Sequence, residues 1–275
     1  MKQRNILACV LCLLVFLAGF LIKGNISLYF NIAALMIVVA GTFAATIISF
    51  SFDRLKIVYK VVRSSFSSQP KNEAEIVDIL INLCIKSRMK GLLSLQEEEN
   101  ETSILFLRRA LGCLVDRYEP EQIRDILNTE MYFFKLRRED SERVLRTIAD
   151  FLPAFGIIGS VVGLISMLAG IGDTSVILAT VPVALTSTLY GLILSNFLFI
   201  PFAANLRERT NHELLLQKII MEGVIAIESE LNPVILETKL QSFLTPSERD
   251  TKLVSYQKIR ERFQLMEQQP VLAKN

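Results

Sequence analysis

The side chains that could do chemistry in this sequence are hydroxyls and glycines rather than acids and bases. Between residues 151 and 206 stand Gly156, Gly159, Ser160 and Gly163, then Thr180, Pro182, Thr186, Ser187, Thr188, Gly191 and Ser195. The glycines fall near one helix face and let a neighbouring backbone approach closely. The hydroxyls admit two readings. They can form a polar lining, or they can bond back to carbonyls of their own helix. Residue types alone leave both open. Other chemistries are poorly supported. Cys9 and Cys12 form a C-x-x-C, a redox or metal pattern in a soluble protein. Inside an apolar run they read instead as small apolar side chains. Cys84 and Cys113 fall in helical segments, and His212 is the single histidine, with no carboxylate cluster around it. No Ser/His/Asp set, phosphate-binding loop or metal-ligand cluster is present, so the chain is not expected to be an enzyme, and no cofactor is expected.

The elements that carry these residues are membrane spans. A spanning helix needs about 20 mostly apolar residues. Four uncharged runs qualify: Ile6 to Ile22, Ile26 to Phe52, Phe151 to Gly172 and Thr174 to Leu206. The first is short, and Lys23 can snorkel at its end. It resembles a signal peptide, but no small-x-small cleavage site follows, so a retained helix in a hairpin with the second run is expected. The fourth run is longer than a span requires and should continue into a soluble helix.

Lysine and arginine set the orientation. They concentrate in residues 53–150 and 207–275, whereas the two short connections hold only Lys23 and Asp173. Both termini and both large segments are therefore expected in the cytoplasm. Those segments read as helical. Glu73 to Met89 carries an apolar stripe at Ile76, Leu80, Leu83 and Cys84, and Ser103 to Val115 repeats it. Pro120 opens Glu121 to Met131 at the first-turn position proline tolerates. A charged helix over Tyr132 to Asp150 leads into the third span. Arg207 to Glu230 continues the fourth, Asn232-Pro233 breaks it, and Val234 to Phe243 follows.

The reading is an all-α integral membrane protein with four transmembrane helices and a helical cytoplasmic domain. Its segments are a two-helix hairpin (1–52), a cytoplasmic helical domain (53–150), the third and fourth spans (151–206), and a cytoplasmic extension and tail (207–275). A net charge of +2 gives no footing for a nucleic-acid partner. No Asp, Glu, Lys, Arg or His lies inside any run. An ion-translocating protein ordinarily needs an intramembrane carboxylate. If this chain conducts ions, that carboxylate comes from a partner helix.

A set of motifs points to a known family. The stretch Leu152-Pro153-Ala154-Phe155-Gly156-Ile157-Ile158-Gly159-Ser160-Val161-Val162-Gly163-Leu164 is followed by Val183-Ala184-Leu185-Thr186-Ser187-Thr188-Leu189-Tyr190-Gly191. Further matches are Val39-Ala40-Gly41-Thr42, Gly91-Leu92-Leu93-Ser94-Leu95, Leu114-Val115-Asp116, Glu119-Pro120-Glu121 and Met221-Glu222-Gly223. Together, over residues 28–245, they resemble the motility protein A family, the flagellar stator branch of the MotA/TolQ/ExbB channel proteins.

The resemblance implies a bacterial inner-membrane stator subunit. Five such A-type chains surround two B-type partners, each with an ion-binding Asp on one membrane helix and a peptidoglycan-binding domain. Passage of H+ or Na+ past that Asp turns the homopentamer, whose cytoplasmic charges push the rotor protein FliG. Pro153 and Pro201 match the prolines linked to conformational coupling, and Gly156, Gly159, Gly163 and Gly191 the packing glycines. Ser160, Thr186, Ser187 and Thr188 fall along the ion path, and Arg88, Lys90 and Glu97 in the rotor-facing region. Ser160 stands where sodium-driven members often have Thr and proton-driven ones Ala, so the ion stays open.

Departures also carry meaning. Gln96 stands where many members have Glu, which weakens the rotor contact; Pro182 replaces a small residue, Asp116-Arg117 a common Asp-Gly, and the motifs at Ile171, Gly172 and Asp173 are looser than usual. They keep in play a divergent, stator-like motor or energiser, TolQ/ExbB-like or from a gliding or defence system, that does not act on flagella. A structural membrane protein with no partner is the non-motor alternative.

Overall fold

The computed structural model describes residues 11–12, 14–16, 18–19, 29–67 and 72–245. Of the first expected span, the described residues are helical; the rest, with Cys9, lies outside the described residues, as does the tail after residue 245. All regular elements among the described residues are helical, as the apolar stripes implied.

The chain divides into two compact units, one of Met1–Val62 and Ser141–Asn205, the other of Arg63–Asp140 and Leu206–Asn275. In the first, α1 (Ile32–Ser49) starts where the Asn31 side chain accepts the Ala34 amide at 3.0 Å, satisfying a donor that the first turn leaves open. It buries Ala34, Val38, Thr42 and Thr46, one residue per turn, a small-residue stripe against the fourth span. α2 (Phe52–Ser67) follows almost at once, a helix that the apolar patterning did not single out.

The second unit contains α3 (Glu73–Lys90), a 3-10 turn (Leu92–Leu95), α4 (Gln96–Glu101) and α5 (Leu105–Val115). α3 is capped by Asn72 and stopped by Gly91 at φ 80°, a conformation that favours glycine. Its expected stripe is buried, and Ile76, Leu80, Ile81 and Ile85 are almost fully enclosed with Leu107, Leu111 and Leu114 of α5.

Residues 120–150 depart from expectation. Instead of two helices, one 50-residue helix, α6 (Pro120–Ala169), runs from Pro120 through the third span. No glycine interrupts the chain between Gly112 and Gly156, and Pro153 is accommodated inside the helix. After a turn with Gly172 at φ 116°, α7 (Thr174–Leu194) is capped by Asp173. The continuation into the soluble part is not uniform: a π turn (Ser195–Phe199) separates α7 from α8 (Ile200–Glu228). α9 (Pro233–Gln241) begins at Asn232, whose side chain accepts the Val234 amide. Three stretches among the described residues are long and apolar enough to cross a membrane: Ile32–Ser49, Pro120–Ala169 and Thr174–Glu228.

Candidate functional site

The third and fourth spans meet along a seam of small residues. A methyl group added at Gly156 would lie 3.0 Å from the Ser187 carbonyl oxygen, and one at Gly163 would lie 2.7 Å from the Ala184 amide nitrogen. At Gly159 it would meet the Ser187 hydroxyl at 2.5 Å. From the opposite side, a methyl at Gly191 would lie 2.5 Å from the Leu152 carbonyl oxygen and 3.2 Å from Pro153 Cα. At three of these four glycines the nearest obstacle is backbone that cannot rotate away.

This contact brings two of the four expected lining hydroxyls together. Ser160 Oγ of α6 and Thr188 Oγ1 of α7 lie 2.5 Å apart, both half-buried. Ser160 can donate to the Ala184 carbonyl, and either hydroxyl can be the donor between the two. Thr188 also reaches the Gly156 carbonyl at 3.4 Å. The pair is neutral, carries unused oxygen lone pairs, and reverses polarity by rotating two O–H bonds. Such a pair can pass a proton or offer oxygen to a hard cation.

Thr186 and Ser187 are placed differently. Thr186 donates to the Pro182 carbonyl and Ser187 to the Val183 carbonyl, each at 2.7 Å, and both side chains are buried. Their hydroxyls are turned to their own helix, the second reading that the sequence left open. Thr186 thereby occupies the carbonyl of Pro182, a proline inside the fourth-span helix. Pro153 lies beside Gly191 in the seam, and Pro201 follows the π turn on an exposed face.

Sequence reasoning missed Tyr190. Its hydroxyl donates to the Tyr29 carbonyl and accepts the Asn31 amide at 2.8 Å, fixing the start of α1 to the fourth span. The partners are about 160 positions away in the chain, so no local pattern marks the tyrosine.

The expected rotor-facing charges lie in the second unit, where Arg88 and Glu97 have local partners. Arg88 Nη2 donates to the Glu230 carbonyl at 2.8 Å, next to the left-handed turn (Glu230 φ 52°) that ends α8. Glu97 lies 3.5 Å from Lys86, which also meets Glu98 at 3.0 Å. Burial alone would push the Lys86 ammonium down, but the hydrogen bonds and charges of Glu98 and Glu97 outweigh it and hold its pKa above 10.5. Lys90 and Glu97 border one open cleft with Lys86, Ser94 and Asn100.

Glu222, quoted only as part of a motif, proves to be an electrostatic centre. Its carboxylate is buried and meets Lys239 at 2.6 Å and both Arg124 and Lys218 at 3.3 Å. Burial raises its pKa, yet the hydrogen bonds and charges of Lys239 and Lys218 together take it below the ordinary 4.5. No group of His, Cys, Asp and Glu suited to a metal ion occurs among the described residues.

Comparisons with known proteins identify relatives of the chain. Residues 98–218 match the MotA/TolQ/ExbB proton channel family. The chain is 33% identical to motility protein A of Borreliella burgdorferi over 225 residues, 82% of this chain and 86% of that protein. It is 30% identical to chemotaxis protein PomA of Vibrio alginolyticus over 226 residues, 82% of this chain and 88% of that one. A solved structure of the flagellar MotAB stator complex from Bacillus subtilis superposes with a TM-score of 0.82 at 27% identity, covering 90% of this chain and 97% of that chain.

Proposed function

Because the chain belongs to the motility protein A branch of the MotA/TolQ/ExbB proton channel family, and is a flagellar stator subunit of the bacterial inner membrane, we propose how it works. It assembles as a homopentamer around two B-type partners, each supplying one membrane helix with an ion-binding Asp and a peptidoglycan-binding domain. H+ or Na+ moves along the Ser160–Thr188 seam to that Asp, and the pentamer turns against the rotor protein FliG. Both termini face the cytoplasm, consistent with the lysine and arginine distribution.

The observation that carries this reading is the pairing of Ser160 with Thr188 across two spans that contain no ionisable side chain of their own. A hydroxyl pair can hand on a proton or share a cation, but it cannot store charge, so the storing carboxylate belongs to another chain. Glu97 and Lys90, exposed at the edge of one cleft, are the charges that face the rotor; Arg88 serves mainly the end of α8.

The test uses cells lacking their own stators, supplied with this chain and its B-type partner. Swimming speed is measured while the sodium and pH gradients are varied independently. Speed is expected to follow one gradient and ignore the other, which names the ion, and Thr188→Ala is expected to cut speed about tenfold, the worth of roughly one lost polar contact to the ion. Swimming that ignores both gradients overturns the motor reading. An unaltered speed in Thr188→Ala overturns the assigned path.

A further inference from the structure

The seam continues past Gly191 to a contact that the ion path does not require. Pro153 has no amide hydrogen, so the carbonyl four residues earlier, that of Ala149, loses its helical donor. In a membrane-embedded helix such a carbonyl needs another partner. It has one: Ser195 Oγ donates to the Ala149 carbonyl at 2.7 Å, with Ala149 and Ser195 each only 2% exposed.

Ser195 behaves unlike its neighbours. Thr180, Thr186, Ser187 and Thr210 each donate to the carbonyl four residues back in their own helix. Ser195 instead bonds across to the third span, and it is the first residue of the π turn, with the Ile200 amide reaching back to its carbonyl. The turn ends just before Pro201, so Ser195 bears on both proline sites at once. Gly191, one helical turn earlier, brings the backbones close enough for the short serine side chain to reach.

We propose that Ser195 is a positioning residue for torque generation: its hydroxyl occupies the carbonyl freed by Pro153 and ties that gap in the third span's hydrogen bonding to the π turn and Pro201 in the fourth. The bond is neutral and buried, and it joins two interruptions of regular helix. A displacement begun at the Ser160–Thr188 pair therefore reaches the end of the fourth span through a hydrogen bond rather than through rigid helix alone. Release and remaking of one neutral hydrogen bond is a small enough step to recur in every motor cycle. This rests on the stator reading above for its consequence in torque, and on geometry alone for the bond.

Two measurements test it. In stator-less cells supplied with the chain and its B-type partner, rotation is followed one stator at a time on a tethered bead. Ser195→Ala is expected to slow each stator roughly fivefold at low load, the effect of one neutral hydrogen bond, while the number of stators that engage stays the same. Ser195→Thr, which restores the hydroxyl, is expected to recover the speed. Unchanged speed per stator in Ser195→Ala, or no recovery in Ser195→Thr, overturns the proposal. If the parent chain turns no flagellum, the stator reading fails, and the bond is judged by thermal unfolding of the purified full-length complex. There, Ser195→Ala is expected to lower the midpoint in the parent background and to have no effect beside Pro153→Ala, which returns a backbone donor to Ala149. Equal lowering in both backgrounds overturns the proposal.

Discussion

The two compact units are both helical, yet they solve the packing problem in opposite ways. In the first, Gly156, Gly163 and Gly191 set backbone against backbone, and hydroxyls make neutral contacts between its helices: Ser160 with Thr188, Ser195 with Ala149, Tyr190 with Tyr29. In the second, branched side chains such as Leu80, Leu111, Ile123 and Leu236 fill the interior, and charges are spent freely around it. Lipid explains the contrast. Hydrocarbon tails are as apolar as leucine, so burying leucine against leucine gains little in a bilayer, whereas close approach and hydrogen bonds still pay. Water reverses both terms, and it also makes a charged group such as Lys218 or Lys239 tolerable at the surface.

The largest expected effect comes from testing that contrast with one methyl group in each unit. At Gly191 the methyl would press on the Leu152 carbonyl and Pro153 Cα, both main chain. Gly191→Ala is expected to cost about 3 kcal/mol, the upper range for overpacking. At Gly223 the nearest atoms, at 2.7 Å and 3.0 Å, are the terminal methyls of Leu80, which can rotate, and alanine is the better helix former. Gly223→Ala is expected to stay within about 1 kcal/mol of the parent. Thermal unfolding of the full chain in detergent compares the two; equal losses would break the distinction between rigid and yielding neighbours.

Glu222 gives the next largest effect and sharpens the contrast electrostatically. Its folded pKa lies below the ordinary 4.5. The stability it contributes is therefore fully present above that ordinary value and is lost as pH falls through the lowered folded value. Glu222→Gln keeps the shape and removes the charge. It is expected to cost about 2 kcal/mol at pH 7, as for a hydrogen-bonded charged group, moderated because Arg124, Lys218 and Lys239 remain partly exposed and can rehydrate. Below pH 4.5 the gap between parent and variant should narrow. A gap that is constant from pH 7 down to pH 3 would remove Glu222 from its central place. The Ser160–Thr188 seam, having no titrating group, has no counterpart to this dependence.

How much of this was legible in the sequence follows the range of the interactions. Asn72, Asn232, Pro120 and Gly91 act on neighbours within a few positions, and the helix limits near them came out close to expectation. The close approach of the third and fourth spans was legible because two apolar spans joined by a short turn lie side by side, but which hydroxyls meet, Ser160 with Thr188, came only from the structure. The single α6 was not, because a charged stretch and an apolar one differ in environment without differing in helical propensity. Ser195, Tyr190 and Glu222 were missed because their partners lie well outside the local sequence: Ala149 is 46 positions from Ser195, and Arg124 is 98 from Glu222. Pro153 leaves the Ala149 carbonyl without a helical donor, but which hydroxyl supplies one depends on how the third and fourth spans pack.

The smallest expected effect concerns a place where glycine is missing. α5 ends in a Schellman turn, with the Tyr118 amide on the Cys113 carbonyl at 3.0 Å and the Arg117 amide on the Leu114 carbonyl at 3.1 Å. That turn holds Arg117 at φ 57°, in the left-handed region where a side chain costs about 1 kcal/mol and glycine costs nothing. The Asp116-Arg117 pair is thus strained at its second residue. Arg117 is exposed, and no ion pair of its side chain offsets the strain among the described contacts. Arg117→Gly is expected to stabilise the second unit by somewhat less than 1 kcal/mol, because glycine also loosens the unfolded chain. Denaturant unfolding, followed by alkylation of Cys84, reads this directly. The buried Cys84 thiol has a pKa of about 11 and stays protonated and unreactive until its surroundings open. Faster alkylation in Arg117→Gly would mean that the arginine holds the turn through contacts worth more than the backbone strain it suffers. Slower alkylation would show that, in this unit, backbone geometry at one exposed residue counts for as much as a surface charge.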